Sequence, residues 1–415
     1  MSNRPRFLPR RYSDSADPEI RDAYRRLHAP QGAGSLERRR FLQGMLAVGG
    51  LAALSPSLLA NDRVAAAPGA APADPILILL YLSGGNDGLN TVIPQDDGRY
   101  FDRRGSLAIR SSKTHRVGDG LYLHPNLSRL AKRFDKGKVA IVNGVGEPTD
   151  DHSHFVSTAR WMAGTAAPSP WFNGWAGRYL DGAGLDELGG IAVGEQGVPL
   201  VLQRPVGDAI AMPTWVSGLF GSDYRERNRN RGTYDALRGI DPAAIGRGPR
   251  AAQIAATTAG AIATASQLGR VFDPEIDEDD HLLRDAKLAT RLINLDVGTR
   301  VLTLSMGGYD HHAAQRPEHD DFMRSLDRAI DHIFDHVRPA IRDRLVLMTW
   351  SEFGRRPDRN GASGTDHGTA NSLFIVGNKV NGGLYGKQPS LRKLDDRGDL
   401  RHHVDFRSVY ATVLD

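Results

Sequence analysis

Seven consecutive apolar residues, Ile76-Leu77-Ile78-Leu79-Leu80-Tyr81-Leu82, run straight into Ser83-Gly84-Gly85-Asn86-Asp87-Gly88. No polar position interrupts the run, so it offers no solvent face; it fits a strand covered on both sides and closed by a tight loop. Segments of the same kind lie at Lys138 to Asn143, Arg300 to Ser305, Leu345 to Trp350 and Leu373 to Val376, each followed by a polar or glycine-bearing loop. From Pro317 to about Val337, the residues Phe322, Leu326, Ile330, Ile333 and Val337 recur at helical spacing among charged ones. Alternating strands and helices predict an α/β fold, a mainly parallel sheet with helices on both faces. Its chemistry should lie beyond the carboxyl ends of the strands.

The domain so defined starts near Ile76 and runs to Asp415. Before it, residues 61–75 read as an Ala/Pro/Gly linker, and residues 1–60 contain Arg38-Arg39-Arg40-Phe41-Leu42 followed by a weakly apolar run to Ala60. That run is broken by Gly44, Gly49, Gly50 and Pro56. A membrane anchor needs a continuous apolar stretch of about 20 residues, so no stable transmembrane span is expected. The Arg-Arg-x-Phe-Leu pattern resembles a twin-arginine export signal, with cleavage near Ala60 or within Val64 to Ala67. The resemblance implies the twin-arginine export machinery as a partner and a periplasmic or extracellular location. Residues 1–37 have no assigned role. Inside the domain, Val206 to Asp280 shifts in composition, with the charge run Tyr224 to Arg231 and an Ala/Thr-rich stretch from Arg250 to Phe272. It reads as a cap or insertion.

Charge and cysteine content narrow the chemistry. The formal net charge is +4, but residues 1–60 hold ten Arg against five acids, leaving 43 basic and 44 acidic residues beyond them. The basicity belongs to the leader, and no nucleic-acid partner is expected. Cysteine is absent, which excludes disulfides, thiolate metal sites and cysteine nucleophiles, so any metal must use His, Asp and Glu. There is no Gly-x-Ser-x-Gly elbow, no phosphate loop and no His-Glu-x-x-His. Gly144-Val145-Gly146 is only a fragment of a dinucleotide fingerprint.

Acids and histidines recur just after the strand candidates: Asp87; Asp150-Asp151-His152-Ser153-His154; Asp310-His311-His312; Glu352; and Asp366-His367. In a doubly wound sheet such loops meet at one edge. Carboxylates with neutral imidazoles suit Zn²⁺, Mn²⁺, Mg²⁺ or Fe, and ligands drawn from several loops can hold one or two divalent ions that activate water or a hydroxyl. Taken singly, such residues cap turns or helices or make surface hydrogen bonds. Ser153 stands where a helix should begin, as N-cap or nucleophile or both. Phe155, Trp161, Trp171 and Trp175 read as core or pocket-wall aromatics.

These motifs together, Leu82-Ser83-Gly84-Gly85-Asn86-Asp87-Gly88-Leu89-Asn90, Ser153-His154-Phe155, Gly307-Gly308-Tyr309-Asp310-His311-His312, Ser351-Glu352-Phe353-Gly354-Arg355-Arg356 and Gly364-Thr365-Asp366-His367-Gly368, resemble the bacterial exported family "domain of unknown function 1501". That family is similar in fold to the alkaline phosphatase and sulfatase superfamily. The resemblance implies metal ligation by Asp87, Asp310, His312, Glu352, Asp366 and His367, with Ser153 as nucleophile by looser analogy. Arg355 would contact an anionic group or serve as a surface ion-pair partner. His311 stands where the family has Thr, which leaves open which imidazole faces a metal. The chain ends at Val413-Leu414-Asp415, inside a helix the family usually continues, so a truncated product is expected.

The function these observations point to is an exported metal-dependent hydrolase of phosphate or sulfate esters. It would use one or two divalent ions (Zn, Mn, Mg, Ca or Fe) on an anionic ester, either a small molecule or an envelope polymer. The alternatives are a non-catalytic binding or scaffold protein of the cell envelope and a metal-stabilised structural domain; shared fold alone does not choose among them.

Overall fold

A computed structural model describes residues 74–148, 151–166, 172–195, 197–214, 264, 268, 271 and 276–414. The leader, the linker up to residue 73, Trp171 and most of the Val206 to Asp280 excursion lie outside the described residues. All described residues belong to one compact unit, Gly50–Asp415.

Its strands are β1 (Ile76–Leu82), β2 (Val92–Ile93), β3 (His115–Gly118), β4 (Leu121–Leu123), β5 (Val139–Gly146), β6 (Gly190–Val193), β7 (Ile210–Met212), β8 (Val301–Met306), β9 (Leu345–Trp350), β10 (Asn371–Gly377), β11 (Gly383–Gly386) and β12 (Val404–Asp405). The helices are α1 (Gly88–Thr91), α2 (Gly98–Arg104), α3 (Ser128–Asp135), α4 (His154–Ala163), α5 (Trp175–Gly182), α6 (His281–Leu295), α7 (Gln315–His336), α8 (Pro339–Arg342) and α9 (Phe406–Leu414). Nine strands form the main sheet in the order β11-β5-β10-β9-β1-β8-β6-β7, with β12 also on β5. β2, β4 and β3 make a small antiparallel sheet. The fold is α/β with a mainly parallel sheet, as the periodicity predicts. β7 is part of that sheet, so residues 210–212 are not part of a cap.

β1 explains its own sequence. It pairs in parallel with β8 on one side and β9 on the other. Ile76, Ile78, Leu80 and Leu82 pack with residues of α3, α6 and α7, whereas Leu77, Leu79 and Tyr81 pack with Trp161, Trp175, Phe406 and Tyr410 of α4, α5 and α9. A strand with both faces dry needs an apolar residue at every position, each contributing roughly 1.5–3 kcal/mol on burial. α7 reads as predicted: Leu326, Ile330 and Ile333 are buried on its sheet-facing side.

β10 looks the same in sequence but runs antiparallel to both neighbours, β9 and β5. Continuous apolarity reports burial, not direction. The reversal matters for the site, because the segment that precedes β10 then lies at the edge where β1, β5, β8 and β9 end.

Candidate metal centre

Five segments meet at that edge, and glycines let them approach. Gly84 and Gly85 have φ of 116° and 77°, values that L side chains rarely adopt. A Cβ on Gly84 would sit 2.5 Å from the Asp310 backbone nitrogen, so the loop after β1 rests directly on the loop after β8. Their amides converge on Glu352: the Gly84 N–H donates to Oε1 at 2.9 Å and the Gly85 N–H to Oε2 at 3.1 Å.

Arg355, 1% exposed, ties the segments together. Its guanidinium donates to the carbonyls of Gly84, Gly85 (2.7 Å), Thr365 (2.9 Å) and Tyr309 (3.1 Å), and to Asp310 Oδ1 at 2.6 Å. It is neither a surface ion-pair partner nor open to an external anion, which differs from the sequence expectation. Nε, Nη1 and Nη2 all donate inside the protein, to four backbone carbonyls and to the one carboxylate the guanidinium steadies.

Around Asp310 Oδ1 stand three imidazoles. His312 Nε2 and His367 Nε2 are each 3.0 Å away and His154 Nε2 is 3.3 Å away. His367 Nε2 is also 3.0 Å from both His154 Nε2 and His312 Nε2. Each ring is held from behind at Nδ1, His154 by Glu352 Oε1 (2.7 Å), His367 by the His152 carbonyl (2.9 Å) and His312 by Asp366 Oδ1 (3.3 Å). A carbonyl or carboxylate oxygen only accepts, so a neutral ring that donates through Nδ1 to the acceptor behind it leaves its Nε2 lone pair facing the point of convergence.

A carboxylate oxygen serves about two strong donors, yet four nitrogens crowd this one. Lone pairs facing one another at 3.0 Å repel unless a proton or a cation lies between them. Tetrahedral bonds of roughly 2.0–2.1 Å place ligand atoms about 3.3 Å apart, close to the 3.0–3.3 Å found here. Nδ1–H groups anchored on acceptors are the usual outer support of metal-bound histidines. The residues fit a divalent cation. His154, Asp310 and His367 have ligand atoms all within 4.8 Å of one another.

Electrostatics agree. Burial opposes ionisation of Asp310, but hydrogen bonds from His154, His367 and Arg355 outweigh it and hold the carboxyl well below the usual range. Burial pulls His154 down, but Asp310 and Glu352 outweigh it and push the ring up to about 9. Hydrogen bonding from Asn360, then His312, keeps Asp366 ionised.

The remaining sequence candidates fall elsewhere. Glu352 and Asp366 stand behind His154 and His312 rather than at the point of convergence. Asp87, 2% exposed, forms a two-pronged ion pair with Arg104 (2.6 and 2.8 Å), accepts from Gln315 Nε2 and caps α1. Ser153 is the N-cap of α4, its Oγ accepting from the Val156 N–H, and precedes His154 directly. His312 faces the cluster, whereas His311 is buried against Tyr309, His319 and Phe322. Trp161 and Trp175 are core, but Phe155 is 57% exposed beside His154 rather than buried. Gly144 and Gly146 serve packing, since a Cβ there would strike the Lys387 carbonyl or the His402 ring. His154 is the ligand candidate that the sequence reading passed over. Its sequence signal is its place after a strand, directly following the helix N-cap Ser153.

A second group, His124, His319 and Asp320, also brings ligand atoms within 4.8 Å. It suits a cation poorly. Both Asp320 oxygens already receive Arg316 Nε, and the Asn126 N–H donates to His124 Nδ1, which leaves the proton on Nε2 facing Asp320. Burial, then His124 and His311, holds His319 neutral.

Solved structures similar to this chain include a protein in the alkaline phosphatase superfamily from Vibrio parahaemolyticus, at 9% identity and a TM-score of 0.38 over 89% of this chain and 76% of that one. The PsFucS1 sulfatase from Pseudoalteromonas sp. is similar at 13% identity and a TM-score of 0.38, over 90% and 71%. Ps i-CgsB in complex with k-i-k-neocarrahexaose is similar at 13% identity and a TM-score of 0.35, over 82% and 71%. No curated protein matches the sequence. Residues 225–414, which carry Asp310, His312, Glu352, Asp366 and His367, match the family described as Protein of unknown function (DUF1501), and the resemblance read from the motifs is borne out over that span.

Proposed function

We propose that the protein is an exported metal-dependent hydrolase of phosphate or sulfate esters. The observation that carries this reading is the convergence of His154, His312 and His367 Nε2 on Asp310 Oδ1, each ring fixed through Nδ1. Three imidazoles and one carboxylate favour Zn, Mn or Fe over Mg or Ca. Bound there, such an ion supplies Lewis acidity to an ester oxygen and to a water or hydroxyl. Arg355 keeps the Asp310 carboxylate aimed, while Glu352, Asp366 and the His152 carbonyl keep the Nε2 lone pairs inward. Ser153, at the N-terminus of α4, attacks or positions the ester, since the helix end favours an anionic group. The cluster side chains are 21–46% exposed, which supports a site open to substrate rather than a closed structural metal.

Export by the twin-arginine route to the periplasm or beyond is part of the same proposal and rests on the sequence pattern at Arg38 to Leu42. Among the described residues no helix is long and apolar enough to cross a membrane. The second reading, a non-catalytic envelope binding or scaffold protein, draws on the enclosure of Arg355, which is buried and donates to backbone carbonyls and Asp310 rather than lying open to an incoming anion.

Elemental analysis of purified protein beside an Asp310→Ala/His367→Ala double variant tests the proposal, followed by aryl phosphate and aryl sulfate assays. Near-stoichiometric metal lost in the variant, with turnover lost alongside it, is expected. A folded wild-type protein that takes up no divalent ion overturns the reading; metal without turnover of either ester favours the scaffold.

A further inference from the structure

We propose that His152 and Asp399 are positioning residues that set which nitrogen of His367 carries the proton. This inference rests on the reading of His154, Asp310, His312 and His367 as a metal-holding cluster. His367 has two competing ways to place its proton. With the proton on Nδ1 it donates to the His152 carbonyl at 2.9 Å, and with the proton on Nε2 it donates to Asp310 Oδ1 at 3.0 Å. Only the first leaves Nε2 free to bind a cation.

Asp310 is an ionised carboxylate, which by itself draws the proton toward Nε2, since hydrogen bonds to charged acceptors are the stronger kind. Something must favour the carbonyl. The backbone of His152 is left-handed, with φ of 61°, an uncommon conformation for a residue with a side chain that persists only where its surroundings impose it. Two contacts do so. The Ser153 N–H donates to Asp151 Oδ1 at 2.9 Å, fixing the turn locally, and His152 Nε2 lies 3.0 Å from Asp399 Oδ2.

Asp399 is a firm anchor. It is fully buried, its own N–H donates to Asp395 Oδ1 at 2.8 Å, and its Oδ1 accepts from Arg356 Nε at 2.9 Å. The Arg356 N–H in turn donates to the carbonyl of Asp366, the residue before His367, at 3.0 Å. The path from His367 through His152, Asp399 and Arg356 thus returns to His367's own neighbour. The carbonyl and the ring that it orients are held to the same strip of chain, so they cannot drift apart without breaking the circuit.

The test measures the His367 tautomer by ¹⁵N NMR in metal-free protein in alkaline buffer, and metal affinity separately. It compares wild type with His152→Gly and Asp399→Asn. Glycine takes a φ of 61° freely, so His152→Gly keeps the fold while removing the imidazole anchor. Wild-type His367 is expected as the Nδ1–H form. Both variants are expected to shift it toward Nε2–H and to weaken metal binding by about 10- to 100-fold, the range for loss of outer support. An unchanged tautomer and affinity in His152→Gly overturns the inference. Absence of metal binding in wild type overturns the functional reading instead, and the metal-free tautomer still decides the role of His152 and Asp399.

Discussion

Replacing Glu352 with glutamine changes one atom and should disable the cluster. Glu352 is 1% exposed, and its two oxygens receive the N–H groups of Gly84 (2.9 Å), Gly85 (3.1 Å) and His154 Nδ1 (2.7 Å). All three neighbours donate. A glutamine turns its carbonyl either toward the glycine amides or toward His154, and its NH₂ then faces donors on the other side. In the first orientation His154 must become the Nε2–H tautomer to accept from the amide, which removes its lone pair from the cluster. In the second the loop after β1 loses its acceptor. A hydrogen bond to a buried charged group is worth about 1.5–3 kcal/mol, and a donor left facing a donor adds a desolvation cost. The expected loss of folding stability is about 3 kcal/mol, with metal affinity lower by about 10- to 100-fold. Urea unfolding of metal-free protein measures the first and competitive chelator titration the second. A Glu352→Gln protein within about 0.5 kcal/mol of wild type and with unaltered affinity would refute the donor accounting.

Four further outcomes follow from the same geometry. His154 is raised from 6.5 to about 9, so in metal-free protein the stability that its charge contributes is present below about 6.5 and lost as pH rises through about 9; urea midpoints across that window should fall less steeply in His154→Asn, and equal slopes count against the assignment. Asp87→Asn breaks a buried ion pair and should cost about 3–5 kcal/mol while metal stoichiometry stays unchanged, because Asp87 lies with Arg104 rather than in the cluster; loss of metal from folded variant would restore Asp87 as a ligand. His319 is fully buried with neither ring nitrogen hydrogen-bonded among the described residues, so His319→Leu should be neutral or stabilising by about 1 kcal/mol, and marked destabilisation would mean that the ring has a partner, such as a buried water. Arg38→Lys/Arg39→Lys should hold the protein in the cytoplasm, as cell fractionation would reveal; unchanged export would remove the twin-arginine proposal.

Legibility from sequence followed burial. β1, β8, β9 and α7 were readable because a face buried against a neighbour demands apolar residues at a fixed period, and that period survives in one dimension. Direction left no such trace: the Leu373 to Val376 signature of β10 is of the same kind as those of the mutually parallel strands β1, β8 and β9. The recurrence of Asp and His after strands located the right edge of the sheet. It did not separate the residues at the point of convergence from those behind them, because Asp310 and Glu352 are both carboxylates in short loops, and only the distances reveal that the first faces the three imidazoles and the second stands behind His154. The burial of Arg355 is illegible in the sequence for a related reason. An arginine among glycines reads as exposed, yet those glycines are what let three backbones close over it.

The reversed course of β10 has a dynamic consequence. Since β9 and β10 are antiparallel neighbours, the connection between them leaves and returns at one edge, and its two arms pair with each other: the Gly354 N–H donates to the Thr369 carbonyl, the Gly368 N–H to the Gly354 carbonyl, and Arg355 bridges His367. The arms bearing Glu352 and His367 therefore continue the central sheet rather than hang from it as loops. Opening them means unzipping the ladder between two largely buried antiparallel strands. The amide protons of Gly354 and Gly368 should accordingly exchange with solvent on the slow timescale of the core, and a newly made chain should gain its affinity for metal only once those two strands have zipped.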